Sequence, residues 1–240
     1  MTLARAGTND ASRITAMNIK ICILIPVYNE SKAIGSIVKA LKLKKLDVFV
    51  IDDGSTDNSG LYASDNGAIV MRNEQKKGKG FSLKRGFRFI LQHQYDGIIT
   101  MDGDGQHDVL DVDSFILKAQ ADPASVVAGS RMEDHKGMPF VRLLTNRFMS
   151  FLISVACRQR ISDTQCGYRY IGCEVLRNVK LTSNDFEIET EMLMKAAKKG
   201  FKIYSVPVKT IYNDAESYIH PVKDTFRFII YFIRELFSKP

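Results

Sequence analysis

The sequence predicts an α/β fold in which a mostly parallel, twisted sheet carries helices on both faces. From Lys20 onward, short β-rich apolar runs alternate with longer segments of helical period. Two of the apolar runs end in aspartates, Asp52 and Asp53 in one case and Asp102 and Asp104 in the other. This pattern is typical of the carboxyl edge of parallel strands, where open α/β folds bind their ligands.

The strand and helix predictions follow the chain from Lys20 to its end. Strands are predicted at 20–25, 47–52, 67–72, 97–102 and 125–131, with a final pair at 202–208 and 209–213. Helices are predicted at 31–44, 79–93, 140–157 and 184–200. We expect Pro26 to stop the first strand and Ser31 to cap the first helix.

Composition limits the class of protein. The 240 residues are 45% hydrophobic and 25% charged, with a formal net charge of +7, which suits one domain at about 19–215. A basic chain suits nucleic acid, an anionic membrane face or a phosphorylated ligand, but the aromatic platform of single-stranded nucleic-acid binders is missing, so no nucleic-acid partner is expected. The four cysteines form no CxxC pair, which predicts reduced thiols in the cytoplasm and no zinc site.

The two ends of the chain differ from this central domain. Residues 1–18 lack an apolar core and a regular period, which predicts a disordered extension in which Met17 is an alternative start. No run reaches the roughly 18 uninterrupted apolar residues of a spanning helix. Residues 216–240 predict an amphipathic helix with two readings, one at a membrane interface and one packed on the sheet or on a partner subunit.

A cluster of polar side chains follows the fourth strand. Asp102 and Asp104 would repel one another without a cation, and Gln106 adds a neutral oxygen. Oxygen-only ligands suit Mg²⁺ or Mn²⁺, and a small number of protein ligands leaves room for phosphate oxygens. A calcium-binding EF-hand loop is the alternative, but His107 stands where that loop needs glycine and Asp113 where it needs a bidentate glutamate.

Five short motifs in fixed order carry a resemblance to a known family. They are IPVYNE (25–30), DDGSTDNS (52–59), GKG (78–80), DGDGQH (102–107) and GSR (129–131). Together they resemble the inverting family-2 glycosyltransferases of GT-A (Rossmann-like) fold, especially the branch of dolichyl-phosphate mannose synthase and bacterial polyprenyl-phosphate glycosyltransferases. The resemblance covers about residues 19–235. It implies metal-dependent transfer of a hexose from a GDP-mannose or UDP-glucose type donor to a polyprenyl or dolichyl phosphate.

The resemblance also implies roles for individual residues. Those matching nucleotide-sugar-binding positions are Pro26, Tyr28, Glu30, Asp53, Lys79, Asp102, Gly103, Arg131 and Arg147. The Mg²⁺ or Mn²⁺ ligands would be Asp102, Asp104 and Gln106, and the metal would bridge the diphosphate of the donor. A guanidinium fork suits phosphate, which agrees with the roles of the two arginines. Turn chemistry is the alternative for the first four residues, and an ordinary loop for Lys79.

The residues expected to be catalytic are Asp163, Asp104 and Arg131. An inverting transfer is a single displacement, and a lipid phosphate with a second pKa near ~6 needs no strong base to attack. A hydroxyl acceptor would need one. The candidates for that base are Asp163, Glu187 and Glu189; Asp163 is favoured because it matches the family's D-x-x-x-G-[FY]-[KR] motif.

Other readings of the function stay open at this point. One is a family-2 transferase that acts on a glycan hydroxyl, and another is a nucleotide-sugar-binding module without turnover. For the lipid-phosphate reading we expect a cytoplasmic protein peripheral to the inner face of the membrane, either as a homo-oligomer or with a separate membrane-spanning partner. The sequence does not identify the sugar or the nucleotide.

Overall fold

The computed structural model describes residues 18–133, 138–211, 232, 234 and 235. The strands are β1 Ile21–Val27, β2 Asp47–Asp52, β3 Ile69–Arg72, β4 Gly97–Thr100, β5 Val126–Ser130, β6 Arg169–Gly172 and β7 Ile203–Pro207. The α-helices are α1 Ile34–Leu43, α2 Ser59–Asp65, α3 Lys79–Ile90, α4 Val112–Ala121, α5 Phe140–Cys157, α6 Cys173–Asn178 and α7 Glu187–Lys198. A short 3₁₀ helix, Val109–Asp111, precedes α4.

The strands form one seven-stranded sheet in the order β3-β2-β1-β4-β6-β5-β7. All neighbouring strands are parallel except β6, which runs antiparallel to both β4 and β5. The prediction of a mostly parallel sheet is therefore confirmed. Since β1, β2 and β4 are neighbours and parallel, their carboxyl ends meet at one edge of the sheet.

Helices cover both faces of the sheet, as predicted. On one face α3, α5, α6 and α7 bury apolar side chains against the strands, Phe87 and Ile153 among them. On the other face α1, α2 and α4 form a second apolar cluster that includes Val38 and Phe115. The sheet is thus buried on both sides, which explains the nearly continuous apolar runs of its central strands.

Three local predictions are wrong, and one strand was not predicted. Pro26 lies inside β1, opposite Ile51; the ladder between β1 and β4 has already ended at Leu24, so the missing N–H of Pro26 costs no hydrogen bond there. Ser31 does not cap α1; the helix begins after Ala33, and the Ser31 backbone N–H donates to Asp57. Strand β6 was not predicted. The segments at 202–208 and 209–213 do not pair in the described residues, because β7 joins β5 and Thr210 forms a bridge with His107.

The expectation of no membrane-spanning segment meets one exception. Within the described ranges, Phe140–Cys157 is a helix long and apolar enough to cross a membrane by length and composition alone, and 33% of it is buried. Its buried side chains, such as Leu143 and Ile153, pack into the domain. The predicted extension at 1–18 lies outside the described residues except Asn18, as does the helix at 216–240 except Phe232, Arg234 and Glu235.

Candidate active site

The acidic turn after β4 lies at the carboxyl edge of the sheet, beside the end of β1. Gly103 is buried there, and a Cβ on it would come within 2.7 Å of Val27 Cγ1 and 3.6 Å of Glu30 Cγ. The turn closes on itself, since the Gln106 backbone N–H donates to Asp104 Oδ1 at 2.9 Å. The close packing of Gly103 brings Glu30, Asp102 and Asp104 into one cluster.

Lys79 supplies a positive charge to this cluster. Its Nζ lies 2.5 Å from Asp102 Oδ1 and 2.6 Å from Glu189 Oε1, and its side chain is only 15% exposed. Burial by itself would lower the pKa of Lys79, but the two carboxylates raise it above its usual value. Burial would raise the pKa of Asp102, but Lys79, with help from His107, holds it below its usual range. Both groups of the pair are therefore charged.

The carboxylates of Glu30 and Asp104, in the same cluster, lack a full counter-charge. Burial, followed by the negative charges of Asp104, Asp102 and Asp57, raises the pKa of Glu30 to about 7. Burial and Asp102 also raise the pKa of Asp104. These shifts mean that the site favours an added positive charge, and its donors are carboxylate oxygens, which suit a hard cation.

The carboxylates do not enclose a metal by themselves. Among the described residues, no group of three or more His, Cys, Asp or Glu side chains is arranged to hold a metal ion. A divalent cation at Asp102 and Asp104 would therefore take further oxygen ligands from Gln106 or from a bound molecule. The residues fit a site that is completed by its substrate.

His107 and Asp108 follow the acidic turn and have different environments. The His107 Nε2 lies 3.4 Å from Asp102 Oδ2, and its ring packs on Tyr168 with centroids 4.9 Å apart. Asp108 accepts from the Leu110 backbone N–H at 2.9 Å and so caps the 3₁₀ helix. Asp108 therefore shapes the turn into the 3₁₀ helix, whereas His107 contacts Asp102, a member of the site.

The predicted nucleotide residues lie at the ends of β1 and β2. Asp53 is buried and accepts from Asn73 Nδ2 at 2.7 Å and from the backbone N–H groups of Lys77 and Gly78 at 3.0 and 2.8 Å. It therefore anchors the loop before α3. Lys76 Nζ lies 3.8 Å from the centroid of the Tyr28 ring. Nucleotide contact by Pro26, Tyr28 and Asp53 stays a prediction.

Asp163 and Arg131 form a buried ion pair. Arg131 Nε donates to Asp163 Oδ2 at 2.8 Å and Nη2 donates to Oδ1 at 3.1 Å. The Asn146 amide and the Gln165 backbone N–H donate to the same carboxylate at 3.1 and 3.0 Å. Burial opposes ionisation, but Arg131 and these donors lower the pKa of Asp163. A general base needs an accessible oxygen and a pKa near neutrality, so the geometry favours a link to Arg131 over the predicted role as base.

A pocket lies beside this ion pair, between the end of β5 and α5. It has a volume of about 440 Å³ and is lined by Ser130 and Ser162, the chain neighbours of Arg131 and Asp163. Arg147 and Arg160 also line it, together with Ser150. Neither arginine pairs with a carboxylate in the described part of the chain. Glu133 lines the pocket as well, so the pocket offers two positive charges against one negative charge, together with hydroxyl groups, and this balance suits a phosphate.

Glu189, one of the candidate bases, belongs to the site through a contact with Lys79 that the sequence did not predict. Helical spacing puts Glu187 and Glu191 on one face and Glu189 on another, and a solvated side chain is the default for such a residue. In the structure Glu191 is buried and accepts from the backbone N–H groups of Thr182 and Ser183. Glu189 instead faces Lys79. Burial lowers the pKa of Arg131, but interactions with Cys166, Asp163 and Glu189 raise it above its usual value. The signal in the sequence was Lys79, which lies between two glycines, because a buried lysine needs carboxylate partners.

Comparison with known proteins shows which family this chain resembles. The model of the family described as glycosyl transferase family 2 matches residues 22–180. The UDP-N-acetylglucosamine–dolichyl-phosphate N-acetylglucosaminyltransferase of Methanococcus voltae is 29% identical over 217 residues, which cover 81% of this chain and 86% of that protein. The polyprenol monophosphomannose synthase of Mycolicibacterium smegmatis is 28% identical over 204 residues, with coverage of 78% and 75%.

A solved structure shares the fold. It is the glucosyl-3-phosphoglycerate synthase of Mycobacterium tuberculosis in complex with Mn²⁺, UDP and glucosyl-3-phosphoglycerate; the TM-score is 0.71 at 16% identity, and the match covers 93% of this chain and 82% of that one. At this identity the likeness shows a GT-A fold alone. Because the family model spans more than half of the sequence, the chain belongs to glycosyl transferase family 2 and is a glycosyltransferase.

Proposed function

We propose that this enzyme transfers a sugar, with inversion, from a nucleotide sugar to a polyprenyl phosphate at the cytoplasmic face of a membrane. One observation carries the proposal: an acidic sheet edge that favours a cation is linked through Lys79, Glu189 and Arg131 to a pocket lined by Arg147 and Arg160. The first arrangement suits a diphosphate bound with a metal, and the second suits a phosphate monoester. The acceptor classes named for the Methanococcus and Mycolicibacterium relatives support the same assignment.

The donor half of the site consists of the cluster at the ends of β1 and β4. Asp102 and Asp104, with Gln106, would hold Mg²⁺ or Mn²⁺, which when bound supplies positive charge to the leaving diphosphate. Lys79 is close enough to Asp102 to add a second positive charge. Asp163 holds Arg131 in place through two hydrogen bonds, so Arg131 is preorganised to face the charge that grows on the diphosphate.

The acceptor half of the site is the pocket with Arg147 and Arg160. A lipid phosphate with a second pKa near ~6 is mostly a dianion at neutral pH, so one of its oxygens can attack the anomeric carbon without a protein base. The bond from that carbon to the diphosphate oxygen breaks as the new bond forms, and the electron pair leaves with the nucleoside diphosphate. Full engagement of Asp163 by Arg131 and Asn146 agrees with a mechanism that uses no base.

The donor is proposed only as a class. GDP-mannose, UDP-glucose and UDP-N-acetylglucosamine all carry the diphosphate that the cluster would bind, and a hexose epimer differs by a single hydroxyl. The binding contacts proposed for Pro26, Tyr28, Glu30 and Asp53 concern the nucleoside and do not separate these sugars.

A lipid-extraction assay tests the function. The purified protein is incubated with each radiolabelled donor, with Mg²⁺ or Mn²⁺ and with a polyprenyl phosphate in mixed micelles, and label is counted in the organic phase. Transfer should fall at least ~100-fold in Asp102→Ala, because that change removes charge from the donor half. Asp113→Ala is the matched control, since Asp113 is an exposed acid paired with Lys44. Label found only in water-soluble glycan, or an unchanged rate in Asp102→Ala, would contradict the proposal.

A further inference from the structure

Helix α5 exposes a continuous apolar face. Its members, each 58% to 76% exposed, are Phe140, Val141, Leu144, Phe148, Phe151 and Val155. From Val141 to Val155 the spacing alternates between three and four residues, so these side chains lie in one stripe along the helix. A contiguous apolar stripe of this length on a folded domain indicates a surface that another body covers.

The charges on α5 and just beyond its end have one sign. Residues 138–162 contain four arginines and no aspartate or glutamate. Arg147 is exposed and lies about 70° around the helix from the middle of the stripe. Arg158, the C-cap residue, is exposed at the end of the helix. Arg160 is also exposed, just beyond the end of α5. An apolar face with basic residues along its border is the pattern of a helix that lies in the interface of an anionic bilayer.

The same face is continuous with the proposed acceptor pocket. Arg147 and Phe151 line that pocket, and Phe151 is at the same time a member of the apolar stripe. A lipid whose phosphate lies at Arg147 and Arg160 would therefore have its hydrocarbon chain next to Phe151. This continuity is expected of a surface that meets lipid.

We propose that the apolar face of α5 docks on an anionic lipid bilayer, with the helix axis in the plane of the membrane. The inference rests on the proposed function, because it takes the acceptor to be a lipid phosphate. Its basis differs from the earlier prediction, which assigned the membrane contact to residues 216–240. At about 1.5 Å per residue, the 18 residues of α5 provide roughly 27 Å of contact.

Two other partners for the apolar face of α5 are less well supported. A second copy of the chain would bring α5 against α5 in a symmetric contact, and Arg147 and Arg158 of both copies would face like charges with no carboxylate on the helix to pair with them. The chain's own C-terminal segment is the other occupant. Its described residues contact the body of the domain, Phe232 at the apolar cluster and Glu235 at Lys198 of α7.

A flotation experiment tests the docking face. Full-length protein without donor or acceptor is mixed with vesicles of phosphatidylcholine, with or without 30% phosphatidylglycerol, and the fraction that floats is measured. We expect wild type to float with anionic vesicles, and Leu144→Ser/Phe148→Ser to bind at least about tenfold more weakly because two large apolar side chains are lost. The control is Leu43→Ser/Leu117→Ser, which changes side chains 78% and 71% exposed on α1 and α4, on the other face of the sheet.

The remaining outcomes separate the alternatives. Flotation of the α5 variant at wild-type level overturns the docking face. So does a dimer of wild type, seen by light scattering, that this variant dissociates without changing flotation, since a second copy then covers the face. A melting temperature lowered in the α5 variant but not in the control also overturns it, since the chain's own segment then covers the face.

Transfer assays keep the two proposals apart. With a short, water-soluble prenyl phosphate, the α5 variant should work at the wild-type rate, because neither substituted residue lines the pocket. With a long-chain acceptor in vesicles, its rate should fall along with flotation. If wild type floats through α5 but transfers sugar to neither acceptor, the proposed function fails and the docking face stands.

Discussion

Replacing Asp163 by asparagine tests whether this residue holds Arg131 or acts as a base. Asp163 is fully buried and Arg131 is 7% exposed, so the substitution leaves a buried guanidinium without its counter-charge. Breaking a buried pair from one side typically costs about 3–5 kcal/mol. In a chain of this size, each kcal/mol lowers the melting temperature by roughly 2–4 °C, so we expect a fall of about 10 °C.

Asp113→Asn is the matched control for that experiment. Its carboxylate also pairs with a cation, Lys44 at 2.7 Å, but the Asp113 side chain is 69% exposed, and such pairs contribute less than about 1 kcal/mol. Urea unfolding at pH 7.5 gives the free energies, and the transfer assay is run on both variants from pH 6 to 9. An Asp163→Asn protein that loses less than about 1 kcal/mol of stability, yet loses all transfer across that range, would refute the link to Arg131 and favour a base.

Two further predictions concern the donor half of the site. In Lys79→Gln we expect tighter Mn²⁺ binding by the ligand-free protein, about tenfold by calorimetry, because the ammonium 2.5 Å from Asp102 competes with a metal; equal or weaker binding would show that Lys79 does not compete. For Glu30 the folded pKa of about 7 lies above its ordinary value of 4.5, so the metal-free protein should lose up to roughly 3 kcal/mol of stability as the pH rises from about 4.5 to 7. Glu30→Gln should remove that part of the pH dependence in urea unfolding with EDTA; an identical slope in both proteins would contradict the raised pKa.

The parts of the fold predicted from sequence depend on local patterns. Short apolar runs that alternate with segments of helical period predicted β1, β2 and β4. The acids that follow the strands marked the carboxyl edge of the sheet, because strand ends and turn residues are adjacent in the chain. The antiparallel strand β6 escaped this reasoning. It has only four residues, Arg169–Gly172, and its formation depends on pairing with β4 and β5, which no local period reports.

The candidate site shows the same division between features that depend on local sequence and features that depend on long-range packing. The spacing of Asp102 and Asp104 predicted that they lie in one cluster. The glycines on either side of Lys79 predicted only that Lys79 contacts a bound phosphate. The contact from Lys79 to Glu189 joins residues 110 positions apart, and Asp163 is 32 positions from Arg131. Such contacts decide whether a carboxylate is open or fully bonded, and they arise only when distant segments pack together.

The reversed direction of β6 affects how the enzyme can diversify. Because β6 is antiparallel, the residues that precede it, and not those that follow, reach the edge where β4 ends; the Gly167 carbonyl accepts from Thr100 Oγ1 at 2.9 Å. The proposed acceptor pocket therefore comes from one continuous stretch, residues 130–162, which is separate from the strands that present Asp53 and Asp102. Changes at the pocket-lining positions of that stretch, which do not include Arg131 or Asn146, would therefore alter the proposed acceptor site and leave the donor half unaltered.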